Sequence, residues 1–193
     1  MIGNDIVDLK LARQQSNWRR KGFLEKVFTA SERELLNASE DLDICVWLLW
    51  SMKEAAYKAH QRRFSLPRRL NWKIQECISL NWEGDKATGV IRIEEGEYFI
   101  TSNLTSASIH SLASAQPKSL YRDNLYQLPL SKVKQLFKEE ISESLNMPLP
   151  QLRLAKTENG IPQLFLKNSI IPHAFSFSDH GRFSGFCVAL MDS

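Results

Sequence analysis

The sequence predicts an α+β protein of two units of unequal length, and three observations carry that expectation. A strongly helical, apolar run extends from Trp47 to His60; dense β signals fill Trp72 to Ala113; and a second helical pattern, Ser131 to Leu145, is followed by short strands of its own. No repeat of fixed period relates the two halves. The expected organisation is residues 1–115 as one α+β unit, 116–130 as a connector and 131–193 as a second, smaller α+β unit.

Taken in order, Ile2 to Leu9 alternates apolar residues with Asp5 and Asp8, as a brief strand that runs into a turn or helix. Alternation sets Asp5 and Val7 on one face and Ile6 on the other. Thr29 with Glu32 three residues on is a capping box, in which side chain and backbone satisfy each other, and the helix it opens runs to about Ala38. Pro67 breaks the central helix. Strands are expected over Trp72 to Trp82, Ala87 to Ile93, Tyr98 to Asn103 and Ser108 to Ala113, with turns at Gly84 and Glu95-Gly96. Gln116 to Pro129 carries two prolines and no clean period. After the helix over 131–145, Pro148 and Pro150 stop the pattern. Leu152 to Thr157 and Gln163 to Leu166 then form a hairpin across Asn159-Gly160, and Ala174 to Ser178 and Phe183 to Leu190 complete the strands.

Composition narrows the class. A chain of 193 residues, 43% hydrophobic and 24% charged, buries a real core. Its net charge of +3 is too small to argue for nucleic acid, but the cations cluster: Arg13, Arg19, Arg20 and Lys21 in one stretch, Arg62, Arg63, Arg68 and Arg69 in another. Either suits phosphates or an acidic partner, and either could be solvated surface. The three cysteines are widely spaced, with no CxxC pair, so neither a disulfide framework nor a zinc site is indicated and the cytoplasm is the expected compartment. Acids stand where a signal peptide needs an apolar core, and no apolar run has membrane length, so no membrane partner is expected.

In the central run, about 100° per residue gathers Leu48, Leu49, Met52, Ala55, Ala56 and Ala59 on one side and Trp47, Trp50, Glu54, Tyr57 and Lys58 on the other. Neither side is plainly a solvent face. A carboxylate beside two tryptophans needs a cation, a metal or good hydrogen bonds. Lys58, one turn on, is the nearest candidate, and an ordinary i, i+4 pair would account for both residues.

Four segments carry a resemblance to a known family: GNDIVDL at 3–9, FTASE at 28–32, WSMKEAAYK at 50–58, and ENGIPQL with AFSFSDHGRF at 158–183. Together they resemble the 4'-phosphopantetheinyl transferase superfamily, and the KEA box preceded by G-x-D-I is the specific part. The resemblance implies that superfamily's fold, two similar α+β units forming a pseudo-dimer. Compared with the surfactin-synthetase-activating type, the two units stand in exchanged order; the other description is a holo-acyl-carrier-protein synthase enlarged by an insertion after the KEA helix.

The resemblance implies transfer of the 4'-phosphopantetheine arm of coenzyme A to a serine of an acyl or peptidyl carrier protein, with Mg²⁺ as cofactor and the protein a monomer. Asp5 and Glu54 match the family's metal ligands; a further acid expected two residues after Asp5 is Val7 here. Lys58 matches the lysine that meets the phosphates, Lys53 would contact phosphate from the helix edge, and Glu54 or a water it holds would accept the serine proton. The second unit departs from the pattern. Ile161 replaces a lysine, Asp179 replaces a histidine, and His180 comes one place late, so the donor-binding assignments there are Ser178, His180 and, as a replacement cation with the arginine pairs after the helix, Arg182. These departures keep open a non-catalytic member that binds the carrier without modifying it. A nucleic-acid-binding reading lacks a motif.

Overall fold

A computed structural model describes residues 1–69, 71–117 and 119–190. Position 118 of the expected connector, position 70 and the last three residues of the expected second unit lie outside the described residues. The fold is α+β, as the sequence predicts.

The first half holds a five-stranded antiparallel sheet ordered β1-β5-β4-β3-β2 and built from β1 (Ile2–Asp8), β2 (Gln75–Glu83), β3 (Lys86–Ile93), β4 (Gly96–Leu104) and β5 (Ser108–Ser114). Among the described residues four α-helices precede β2: α1 (Leu9–Gln15), α2 (Phe23–Val27), α3 (Ala30–Ala38) and the 23-residue α4 (Leu42–Phe64). Helix α4 begins five residues before the expected run, because the Asp41 carboxylate accepts from the Ile44 amide at 3.0 Å and caps it. It is covered on almost every side. Its alanines lie on the sheet, while Trp50 is sandwiched between Phe23 at 6.1 Å and Trp72 at 4.2 Å. A Cβ on Gly3 would lie 2.3 Å from the Ala55 carbonyl oxygen, so only glycine lets β1 approach the helix this closely. That approach brings Asp5 to the helix face bearing Lys58.

In the second half, β10 (Phe175–His180), β11 (Phe183–Ala189) and β6 (Tyr121–Tyr126) form one sheet, ordered β10-β11-β6. Strands β7 (Leu152–Lys156), β8 (Pro162–Leu166) and β9 (Ser169–Ile171) form another. Helix α5 (Leu130–Ser144) buries Val133, Phe137 and Ile141 against both, with Phe137 at the centre of an aromatic cluster with Phe175, Phe177 and Phe186. The stretch expected to be a connector contains strand β6, which pairs residue for residue with β11 from Tyr121 to Tyr126. Its two prolines flank the strand, and its half-buried position blurs the alternation that would have revealed it. Strand β9 was likewise not expected. The Asn159-Gly160 hairpin is present, with Gly160 at φ +78°.

The capping box at Thr29 and Glu32 forms, and it does more than cap. Glu32 is fully buried and accepts from the Thr29 amide (2.8 Å), the Cys77 amide (2.8 Å) and Lys53 Nζ (2.7 Å); Lys53, also fully buried, donates as well to the Val27 carbonyl at 2.9 Å. One ion pair therefore joins α2, α3, α4 and β2. Glu32→Ala leaves the ammonium uncompensated and is expected to lower stability by about 3–5 kcal/mol. Replacing both partners with apolar residues (Glu32→Leu with Lys53→Met) should recover most of that loss in urea unfolding. A single variant as stable as the wild type would refute the assignment.

Candidate functional site

The two halves meet along β1 and β10. Strand β1 pairs with β5 on one side, and on the other its alternate amides are taken by side chains of β10. The amides of Asn4, Ile6 and Asp8 donate to Ser176 Oγ (3.2 Å), Ser178 Oγ (3.2 Å) and His180 Nδ1 (2.9 Å). At this seam opens a cleft of about 780 Å³, walled by α4, the segment after it, the β7–β8 hairpin, the start of α5 and β10.

Asp5, Glu54 and Lys58 all line the cleft. Lys58 pairs with Asp5, in place of the expected Glu54: its Nζ donates to Asp5 Oδ1 (3.1 Å), the Asn4 carbonyl (2.8 Å) and Ser178 Oγ (3.1 Å). These use all three ammonium hydrogens. Ser178 also donates to Asp5 Oδ1 at 3.2 Å, so it orients the lysine and the carboxylate together. Glu54 makes no hydrogen bond or ion pair among the described residues. Burial and, next, the negative charge of Asp5 push its carboxyl up to about 7, while Lys58 and Arg68 pull the other way. A carboxyl held near neutrality can accept and release a proton at physiological pH.

The donor set fits a hard divalent cation. Two mutually repelling carboxylates, one of them without a hydrogen-bond or ion-pair partner among the described residues, line an open cleft, and Mg²⁺ commonly takes one or two protein carboxylates with phosphate and water completing its shell. Among the described residues no three His, Cys, Asp or Glu side chains gather at one point, so phosphate and water would supply the remaining ligands. The absent third acid is Val7, buried in the core.

Other expected residues stand elsewhere. Lys53 does not reach the cleft; the buried ion pair with Glu32 consumes it. His180 turns from the cleft onto the Asp8 amide, and Arg182 forks onto the Asp8 carboxylate through Nε (2.8 Å) and Nη2 (2.8 Å). Neither lines the cleft. On β10, positions 176, 178 and 180 share the face that meets β1; Ser176 and Ser178 reach the cleft from it, while His180, at the end of the strand, does not. Asp8 is a cap as well, accepting from the amides of Lys10 and Leu11 at the start of α1.

Ile161 and Asp179 do line the cleft, so the expected lysine and histidine are missing from it. Other cations supply the charge: Arg68 after α4, Lys134 on α5 and Lys156 at the end of β7. Lys134 and Lys156 carry no sequence signal, because neither sits in a motif and only the fold brings them to the cleft. In the basic stretch 13–21, Arg13 (2.9 Å) and Arg19 (3.5 Å) both pair with Asp43, whereas Arg20 and Lys21 are exposed without an ion pair among the described residues.

A family model described as the 4'-phosphopantetheinyl transferase superfamily matches residues 1–105, the stretch that carries Asp5, Glu54 and Lys58. No match was found among curated proteins.

The raised Glu54 carboxyl has a signed consequence. In the unfolded chain it ionises near its ordinary 4.5, and in the folded protein near 7. Between those values the folded state binds more protons, so this group lowers stability as pH rises through that window and its penalty is complete above it. Without divalent cations, Glu54→Gln should therefore match the wild type at pH 4 and exceed it at pH 8. A gain of at least about 1 kcal/mol would raise Tm by about 2–4 °C. A Tm difference independent of pH would show that Glu54 is not held in this way.

Proposed function

The chain belongs to the 4'-phosphopantetheinyl transferase superfamily, and on that premise we propose that it transfers the phosphopantetheine arm of coenzyme A to a serine of an acyl or peptidyl carrier protein, as a cytoplasmic monomer. The observation that carries this reading is the convergence of Asp5, Glu54 and Lys58 on a cleft that also holds Arg68, Lys134 and Lys156. The cations suit the phosphates of the donor, and the two carboxylates suit Mg²⁺.

Asp5 and Glu54 would hold the ion, whose positive charge, when bound, offsets the charge that grows on the phosphate oxygens during transfer. Lys58 would meet those oxygens by exchanging one of its present acceptors for phosphate. Glu54, directly or through a water, would take the proton of the carrier serine. The serine oxygen then bonds to the pantetheine-bearing phosphorus, the bond from that phosphorus to the bridging oxygen breaks, and adenosine 3',5'-bisphosphate leaves. Ser178 would keep Lys58 and Asp5 in register. Lys134 and Lys156, which also line the cleft, would stand in for the missing lysine and histidine at the 3'-phosphate. Ile161 and Asp179 favour a non-catalytic carrier-binding member, but these replacement cations offset that loss, and the transferase reading is the stronger.

Incubation with coenzyme A, Mg²⁺ and a panel of apo carrier domains should add one phosphopantetheine mass to at least one of them. Glu54→Gln should slow the transfer at least about 100-fold with the fold retained. Carrier binding without a mass change in any pairing would establish the non-catalytic reading instead.

Carrier domains of this family are acidic around the modified serine, so the basic stretch near α1 is the proposed dock. Opposite charge raises the association rate and is screened by salt. Reversing Arg20 and Lys21 (Arg20→Glu with Lys21→Glu) should slow transfer about tenfold at low ionic strength and much less at high salt. Equal rates at every salt concentration would remove this dock.

A further inference from the structure

Beyond α4 the chain turns back through residues 65–69, and three side chains fasten this short strap. The Tyr57 hydroxyl donates to the Pro67 carbonyl (3.2 Å) and accepts from the Arg69 amide (2.6 Å), bridging the peptides on either side of Arg68. The Gln61 amide donates to the Leu66 carbonyl (3.1 Å) and to the Asn159 carbonyl (2.9 Å). Asn159, in the β7–β8 turn, returns its own amide to the Ser65 carbonyl at 2.6 Å. Four positions around Arg68, namely Ser65, Leu66, Pro67 and Arg69, are thereby tied to α4 or to the second half of the chain.

Arg68 itself is exposed, lines the cleft with Asp5, Glu54 and Lys58, and makes no hydrogen bond or ion pair among the described residues. Its neighbours are already engaged. Lys58 has its three acceptors, and Arg62 is spent on the carbonyls of Pro162 and Phe175. A fixed backbone that presents an unengaged guanidinium to an active-site cleft is arranged for a ligand with paired acceptor oxygens, which a phosphate provides.

We propose that Arg68 is a further catalytic residue, whose guanidinium grips the pyrophosphate of the donor beside Glu54, and that Tyr57, Gln61 and Asn159 are positioning residues that aim it. This inference rests on the transfer reading. As the serine oxygen–phosphorus bond forms and the phosphorus–bridging-oxygen bond breaks, the departing bisphosphate gains a negative charge, and Arg68 meets it there. Arg68 shares the cleft wall with Asp5, Glu54 and Lys58, the residues to which the transfer reading gives the reacting phosphorus.

The test is calorimetric binding of coenzyme A and of dephospho-coenzyme A to the full chain, with folding checked by circular dichroism. Arg68→Ala should weaken both donors by about tenfold or more and to the same extent, the loss of a bidentate charged contact. Arg68→Lys should recover part of it. Tyr57→Phe should weaken both in the same direction, and combined with Arg68→Ala it should add little, since the two act as one unit. Unaltered affinity for both donors overturns the inference. A loss confined to coenzyme A would place Arg68 at the 3'-phosphate and overturns it equally. Failure of the wild type to bind either donor would remove the transfer reading, and the inference with it.

Discussion

Everything at the cleft depends on how the free edge of β1 is closed. A strand edge carries amides that must find acceptors, and an open edge invites pairing with another chain. Here the acceptors are side chains. Two hydroxyls and one imidazole on alternate positions of β10 take three alternate amides of β1, so the halves are stitched together without a continuous backbone ladder. Such stitching has a strict register: a slip of one residue would turn Ser176, Ser178 and His180 away from β1 together. Because Ser178 also touches Lys58 and Asp5, the register of the seam is the register of the site.

The same seam explains which residues the chemistry can recruit. A side chain that closes an amide edge is fixed in place, and a cation that neutralises a buried acid is held at that acid. His180, Arg182 and Lys53 are all committed in this manner, to Asp8 and Glu32. Their charges and hydrogen bonds hold the architecture, and the positive charge left unengaged in the cleft comes from Arg68, Lys134 and Lys156, which make no hydrogen bond or ion pair among the described residues.

Much of the first half was legible in the sequence, because its signals are local. Thr29 and Glu32 are three residues apart and declare a cap; Gly160 needs a left-handed turn; the KEA run is helical by composition. Asp5, Glu54 and Lys58 were legible through the motif they share. What escaped was set by tertiary partners. Lys53 is adjacent to Glu54, but its partner lies 21 residues earlier, and no helical wheel reveals that it points under α3. Strand β6 has weak alternation and exists because β11 offers it a ladder. Lys134 and Lys156 belong to unrelated patterns until β7, α5 and β10 are folded around one space.

The stitching between β1 and β10 also orders events in time. The two strands are 172 residues apart, so on a ribosome β1 is made long before the side chains that close its edge. Pairing with β5 can shield one side once residue 114 has emerged, yet the outer amides of Asn4, Ile6 and Asp8 stay open until the last sheet is synthesised. A nascent chain therefore exposes an adhesive strand edge while the residues between β1 and β10 are made, and long-range closure of this kind is slow. The cleft can form only after β10 has been made, and the waiting edge is where a chaperone, or an aggregate, would take hold.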